Sequence, residues 1–499
     1  MNRMLAGLGV VVLAGGAACT GGGGTGGGAT STSSSTSSSS SSGAVTLPAL
    51  QNTTVLEDTN PDTSIVEVTL RAQVIEHAFN AGRPTTAYAY NGMIPGPTIQ
   101  ARQGNRLIVH FENQLQEPTT IHWHGLRIPD AMDGTPETQE PVAPGGTFTY
   151  DFILPDVGSF WFHPHYNTVE QIEKGLMGTM VVHEADPAQT PVFDAERIMF
   201  TDDIKLGANG AIAAFAVSGM DIMHGRAGNT LLLNGTSELP TLTVRSGTRE
   251  RWRFFNGANG RTMSLSVEGA TFAIISVDGG LLPQPLYVTK AELPIGARLD
   301  MDVIFDGAPG STATLTSWVL MLDANNNVIE DPVPLALVNL TQEAAQEIRA
   351  VTLPTVTPYA PPLDVTPEKL LRLSGYNEMG QVIFTINDFA WPAVETWEVM
   401  QGTRTRVQIN NALGMEHPFH LHGQFFHVIA PQDRVLATPG ARDTILVPGG
   451  GSVTVEIEWS NPGMWMYHCH IPEHAEHGMM GHVMVTGNGT GNPLPGHGH

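Results

Sequence analysis

The chain is poor in cysteine, in positive charge and in long apolar runs. Only two of its 499 residues are cysteine, Cys19 and Cys469. With Cys19 in an N-terminal leader, no intrachain disulfide is available to the folded region. Lysine and arginine total 24 against 48 aspartates and glutamates, a net charge of -24. That balance excludes nucleic acid and an anionic membrane surface as partners, because neither gains from meeting an acidic protein. The leading apolar run, Leu5 to Leu13, is too short to span a bilayer. Long amphipathic helical patterns are missing as well, which argues against a helical fold.

What is there begins with an export signal over residues 1–18: Arg3, the apolar run, then small residues ending at Ala17-Ala18. Small residues ahead of Cys19 resemble a bacterial lipoprotein signal, with Cys19 as the lipid-bearing residue; Gly16 stands where such signals carry Leu. Cleavage near Ala18 without a lipid is the alternative. Residues 19–45 read as a low-complexity tether, since Thr20 to Gly43 are only Gly, Thr, Ala and Ser. The expected location is a bacterial periplasm or cell envelope, with membrane contact only through Cys19.

Short alternating runs bounded by Gly, Pro and Asn recur, as in RLIVHFEN (106–113), TFTYDFIL (147–154) and SVTVEIEW (452–459). The chain therefore reads as all-β sandwiches or barrels. One pattern repeats three times: Asn91…Gly104…Asn113, Asn234…Gly247…Asn256 and Asn387…Gly402…Asn411. The first and third copies continue alike, to His122-Trp123-His124-Gly125 and to His420-Leu421-His422-Gly423. The middle copy continues as GANGRTMSLSVEG without histidine and reads as a spacer.

Two residues apart on a strand, side chains face the same way, so His-x-His presents two imidazoles together. Four such pairs lie in the matched segments: His122/His124, His163/His165, His420/His422 and His468/His470. Among 19 histidines, chance would place roughly one pair in the whole chain. A fifth, His497/His499, sits in a Gly/Pro-rich tail and reads as a solvated segment. Imidazole suits copper, zinc, iron and nickel alike. The run HCH narrows the choice, because Cys469 must point away from His468 and His470. His417, Cys469, His474 and Met479 supply two imidazoles, a thiolate and a thioether, the ligand set of a blue copper centre; Met480 is the alternative thioether. Zinc could use the first three but would leave eight more histidines unexplained.

The segments HWHG, WFHPH, HPFHLHG and HCHIPEHAEHGMM resemble the four motifs of the multicopper oxidases, in particular the three-domain bacterial laccase-like members. The resemblance implies three consecutive cupredoxin-like Greek-key β-barrel domains, drawn here as 46–187, 188–345 and 346–499. It implies four copper ions. The type 1 copper would take His417, Cys469, His474 and Met479, and the type 2 copper His122 and His420. One type 3 copper would take His124, His163 and His470; the other, His165, His422 and His468. The middle domain would hold no copper.

The activity implied is laccase-like: one-electron oxidation of phenols or aromatic amines at the type 1 copper through the edge of His474, electron passage through Cys469, and four-electron reduction of O2 to water at the trinuclear cluster. The alternative is a cuprous oxidase with Cu(I) as reductant. Reduction to water needs protons, and Asp133 in RIPDAMDG matches an acid of bacterial relatives; a turn residue beside Gly134 is its other reading. Relatives place a second acid directly after the type 1 histidine, where this chain has Ala475. Met220, Met223 and His224 in GMDIMHG read first as a loop and second as a soft site for cuprous ion. A copper-free structural relative and a two-domain nitrite reductase are disfavoured by the complete ligand set and the three repeats. A monomer is expected, with three domains already in one chain.

Overall fold

The structure, a computed structural model, describes residues 47–81, 83–215, 219–322, 328–360, 363, 366–431 and 439–487. The export signal, the tether with Cys19 and the His497/His499 pair lie outside them. Among the described residues the strands form six sheets, two for each of three units met in chain order. The first unit has two four-stranded sheets. One is built around Ile65–His77 and Arg106–Asn113; the other joins Thr98–Arg102, Gly178–His183, Gly158–His163 and His122–His124. The central unit has sheets of six and five strands, and the third unit has two of five. The strands expected at 106–113, 147–154 and 452–459 are Arg106–Asn113, Thr147–Ile153 and Ser452–Glu458.

The threefold repeat has a structural cause. Asn91, Asn234 and Asn387 all adopt the left-handed conformation, φ 52°, 50° and 54°. Each accepts a backbone N–H on a neighbouring strand through its side-chain oxygen, from Arg71, Phe200 and Arg372 respectively. Asn tolerates that conformation and carries the acceptor the turn requires. Asn113, Asn256 and Asn411 each donate to two backbone carbonyls and accept a backbone N–H two residues on, tying the end of a strand to the following loop.

Each unit has its own apolar core, and three short helices meet where the units join. These are α1 (Thr168–Glu173) from the first unit, α2 (Gly219–His224) from the central one and α3 (Pro472–Glu476) from the third; α3 touches both others. Ile222 of α2 is buried in the core of the third unit, alongside Cys469 and Met479. The GMDIMHG segment, expected first as a loop, is thus a helix anchored by one apolar residue. No helix among the described residues is long and apolar enough to cross a membrane.

Candidate metal centres

Strand alternation makes two sites back to back. Gly463–Cys469 runs antiparallel to His417–Leu421, with Phe419 opposite Cys469 and His420 opposite His468. His417 and Cys469 therefore face the core, while His420 and His468 face outward to the first unit.

On the core side, Cys469 Sγ lies 3.4 Å from Nδ1 of both His417 and His474, and the two Nδ1 atoms are 3.1 Å apart. All three residues and Met479 are fully buried. Two short backbone bonds close the loop: Cys469 N–H donates to the Met479 carbonyl, and Met479 N–H to that of His474. Burial pushes the Cys469 thiol up and the His417 imidazole down to about 3. Without a cation, two neutral imidazoles and a protonated thiol converge on one point with no charge to hold them there. A thiophilic metal ion fits, since it displaces the thiol proton and takes all three donors.

On the outer side, in the second four-stranded sheet of the first unit, His122 pairs with His163 and His124 with Trp161. Three all-histidine sets of donors fall within metal-binding range: His124, His163 and His470; His165, His422 and His468; and His122, His420 and His422; a fourth group joins His124 and His420 to Asp443. His422 is shared by the second and third. Rings from the two units stack in matched pairs, His122 on His422 at 3.9 Å and His124 on His420 at 3.8 Å between centroids. Second members of three pairs, His165, His422 and His470, sit just past the ends of their strands. Their backbone N–H groups are pinned instead to Thr120 Oγ1 and to the carbonyls of Met466 and Pro418.

The cluster imidazoles are oriented from behind. Nδ1 of His122, His163, His420 and His468 lies 2.8–3.0 Å from the carbonyls of Asp133, Pro164, Asp443 and Cys469. His422 Nδ1 donates to Asp133 Oδ2 at 2.8 Å. A proton on Nδ1 leaves the lone pair on Nε2, the tautomer that ligates. Nε2 of His122, His124, His163, His165, His420 and His470 is buried without a partner. Burial, reinforced by neighbouring imidazoles, holds His124, His163, His165, His422 and His470 well below the usual histidine range, so all are neutral and free to bind. Orphaned nitrogens converging on one another between the units fit a cluster of metal ions.

Asp133 is buried between the units, with Oδ1 3.2 Å from His122 Nδ1 and Oδ2 on His422. A cavity of about 620 Å³ reaches the cluster from outside, lined by His163, His165, His468 and His470 together with Glu117, Glu137 and Glu476. Ala475 lines it too.

Sequence reasoning located the donors but missed what covers and supports them. His474, expected to offer its edge to an organic donor, is fully buried. Helix α2 lies over it, with the Met223 carbonyl and His224 beside the ring. Arg298 and Asp443, both buried, were also missed; neither belongs to a spaced pair.

Three stretches, residues 71–187, 208–332 and 362–488, match family descriptions reading Multicopper oxidase. The crystal structure of a multi-copper oxidase from Pseudomonas thermotolerans is similar at TM-score 0.72 and 30% identity, over 85% of this chain and 99% of that one. A multicopper oxidase from Campylobacter jejuni described as a metallo-oxidase is similar at TM-score 0.74 and 26% identity, over 88% and 95%. Laccase-1 of Botryotinia fuckeliana is 28% identical over 455 residues, covering 81% of this chain and 78% of the relative. Three consecutive matches, paired sheets in each unit and the two donor sets lead to one conclusion: the chain belongs to the multicopper oxidases, copper-dependent oxidoreductases that use O2 as acceptor.

Proposed function

We propose that the protein couples one-electron oxidation of cuprous ion at the Cys469 site to reduction of O2 to water at the histidine cluster. The observation that carries the choice of reductant is the cover over His474. Met220 and Met223 of α2 are 60% and 38% exposed, and Met220, Met223 and His224 share one helix face by their spacing of three and four. Two thioethers and an imidazole are donors suited to Cu(I). The Campylobacter relative described as a metallo-oxidase supports this reading. Oxidation of phenols or aromatic amines is the second reading, favoured by the similarity to Laccase-1; it requires α2 to move off His474.

Copper held by these donors would pass electrons singly between its two oxidation states. The chain's own part is to connect, orient and protonate. Cys469 is joined by backbone alone to His468 and His470, so the path between the sites is covalent. Protons reach the cluster through Asp133 and a second carboxyl in the outer cavity. There Glu476 accepts the Val169 N–H, and Glu117 accepts the Tyr88 hydroxyl and the Asn167 amide. Among the described residues Glu137 is the carboxyl of that cavity left uncommitted to a neighbour. Desolvation by its surroundings, helped by the charge of Asp133, raises its pKa, the direction that suits a proton donor. The export signal read in residues 1–18 would put this chemistry in the cell envelope, where Cys19 is the candidate anchor.

The test is oxygen uptake by the copper-loaded protein with Cu(I) and with a dimethoxyphenol, for the natural chain and for Met220→Ala/Met223→Ala. The proposal expects the double substitution to lower the rate with limiting Cu(I) about 10-fold and to leave phenol oxidation unchanged or raised. Phenol-driven uptake that exceeds uptake with Cu(I), with no response to the substitution, would favour the second reading.

A further inference from the structure

The central unit supplies no ligand, yet it reaches the cluster. Arg298, the first residue of strand Arg298–Ile304, is buried and extends between the other two units. Its guanidinium grips Asp443 of the third unit bidentately, Nη1 to Oδ1 at 2.7 Å and Nη2 to Oδ2 at 2.6 Å. Nε donates to the Ser159 carbonyl of the first unit at 2.9 Å, Nη2 also to that of Asp278 at 3.1 Å, and Nη1 lies 3.2 Å from His124 Nδ1.

Asp443 stands behind two imidazoles at once. Its carbonyl takes His420 Nδ1–H at 2.9 Å, and its Oδ1 lies 3.5 Å from that nitrogen and 3.8 Å from His124 Nδ1. Thr444 Oγ1 donates to Oδ1 at 2.8 Å, fixing the carboxylate from the other side. If Nε2 of His124 ligates, its ring proton sits on Nδ1 and needs an acceptor. The guanidinium can only donate, and the nearest carboxylate oxygen, Asp443 Oδ1 at 3.8 Å, is held in place by its bond to Arg298. Two glycines clear the space: a Cβ on Gly125 would collide with the Arg298–Asp443 pair, and one on Gly296 would lie 2.7 Å from the His470 ring.

We propose that Arg298 is a positioning residue for the trinuclear cluster, orienting Asp443, whose carbonyl holds His420 with Nε2 turned inward and whose carboxylate faces the Nδ1 side of His124. The role rests on the reading of these histidines as copper ligands. Adhesion between the central and first units alone does not account for it, because that interface already has a buried ion cluster that touches no histidine. Arg251 and Arg253 both bind Asp300, whose Oδ1 accepts the Ser159 hydroxyl of the first unit. That ion cluster is the natural control.

The experiment compares Arg298→Lys, Asp443→Asn and Arg251→Lys in the full copper-loaded chain. Three quantities are read: copper per chain, the electron paramagnetic resonance of the type 2 copper, and the rate at which O2 reoxidises the fully reduced protein. The proposal expects Arg298→Lys and Asp443→Asn to shift the type 2 spectrum or lower cluster occupancy, and to slow reoxidation about 10- to 100-fold. The blue absorption and its bleaching by Cu(I) stay as in the natural chain, and Arg251→Lys changes none of these. Unaltered spectra, occupancy and reoxidation in both test variants would overturn the proposal, as would the same changes in Arg251→Lys. Should Arg298→Lys fail to fold, Asp443→Asn, which keeps the shape of the site, decides alone. A natural chain that takes up no copper would overturn the ligand reading itself, a distinguishable result.

Discussion

The core-side site and the interdomain cluster use opposite nitrogens of the same side chain. Around Cys469, the imidazoles of His417 and His474 turn Nδ1 toward the sulfur, Phe384 lies 4.1 Å from the His474 ring, and every donor comes from one unit. In the cluster, five imidazoles turn Nδ1 outward to oxygen acceptors and Nε2 inward, and the donors are divided between two units with a third behind them. An apolar pocket in one domain keeps a single site rigid and water-poor, which suits electron transfer with little rearrangement. A polar seam between domains opens outward through a cavity, which suits the access of O2 and protons that the proposed reaction needs. The first unit shows how the core-side site is lost: where the third has His417 and Cys469, the first has Thr119, bonded to Gln171, and Pro164.

His422→Gln should break the cluster half of this contrast most severely, because His422 falls in two of the all-histidine donor sets. Oxygen uptake is expected to drop to background and copper content by up to about two per chain, while the blue absorption survives; elemental analysis and visible spectra of one sample check both. Asp133→Asn should spare the core-side site and slow reoxidation by O2 about 10²-fold, the range for a lost acid that also orients two histidines. Stopped-flow mixing of the reduced variant with O2 measures it.

Glu137→Gln is expected to cost less, about 10-fold. As donor, Glu137 acts while protonated, so turnover in the natural chain falls as pH rises through its raised pKa. In the glutamine variant that alkaline limb disappears from the pH profile of uptake.

The mildest effect separates the metal-free protein from the loaded one. Burial lowers His417 and His468 from 6.5 to about 3, so the unfolded chain binds more protons than the folded chain between those values. The stability these groups contribute is therefore present above about 6.5 and lost as pH falls toward 3. Thermal melts of the metal-free protein should drop by at least a few degrees between pH 7 and pH 5. Copper requires the same neutral rings and also displaces the Cys469 thiol proton, so loading should raise the melting temperature and leave that slope at least as steep.

Much of this was legible in the sequence, for a physical reason. Ligand pairs must alternate along strands, so His122/His124 or His468/His470 announce themselves within three residues. Turn asparagines must recur where the turn recurs, so Asn91, Asn234 and Asn387 disclosed three units. Arg298 and Asp443 did not, because they are 145 residues apart and belong to no spaced pattern. Helix α2 was read as a loop because six residues carry too little periodicity to declare a helix; its anchor, Ile222, acts through the core of another unit. The cover of α2 over His474 follows from that long-range contact.

The most direct test of two independently built sites is the copper content and electron paramagnetic resonance of Cys469→Ser. The account predicts loss of the blue absorption and about one copper per chain, with the type 2 signal and the remaining cluster copper intact. Loss of all copper together would contradict it, showing that the interdomain cluster depends on the core-side site for its assembly.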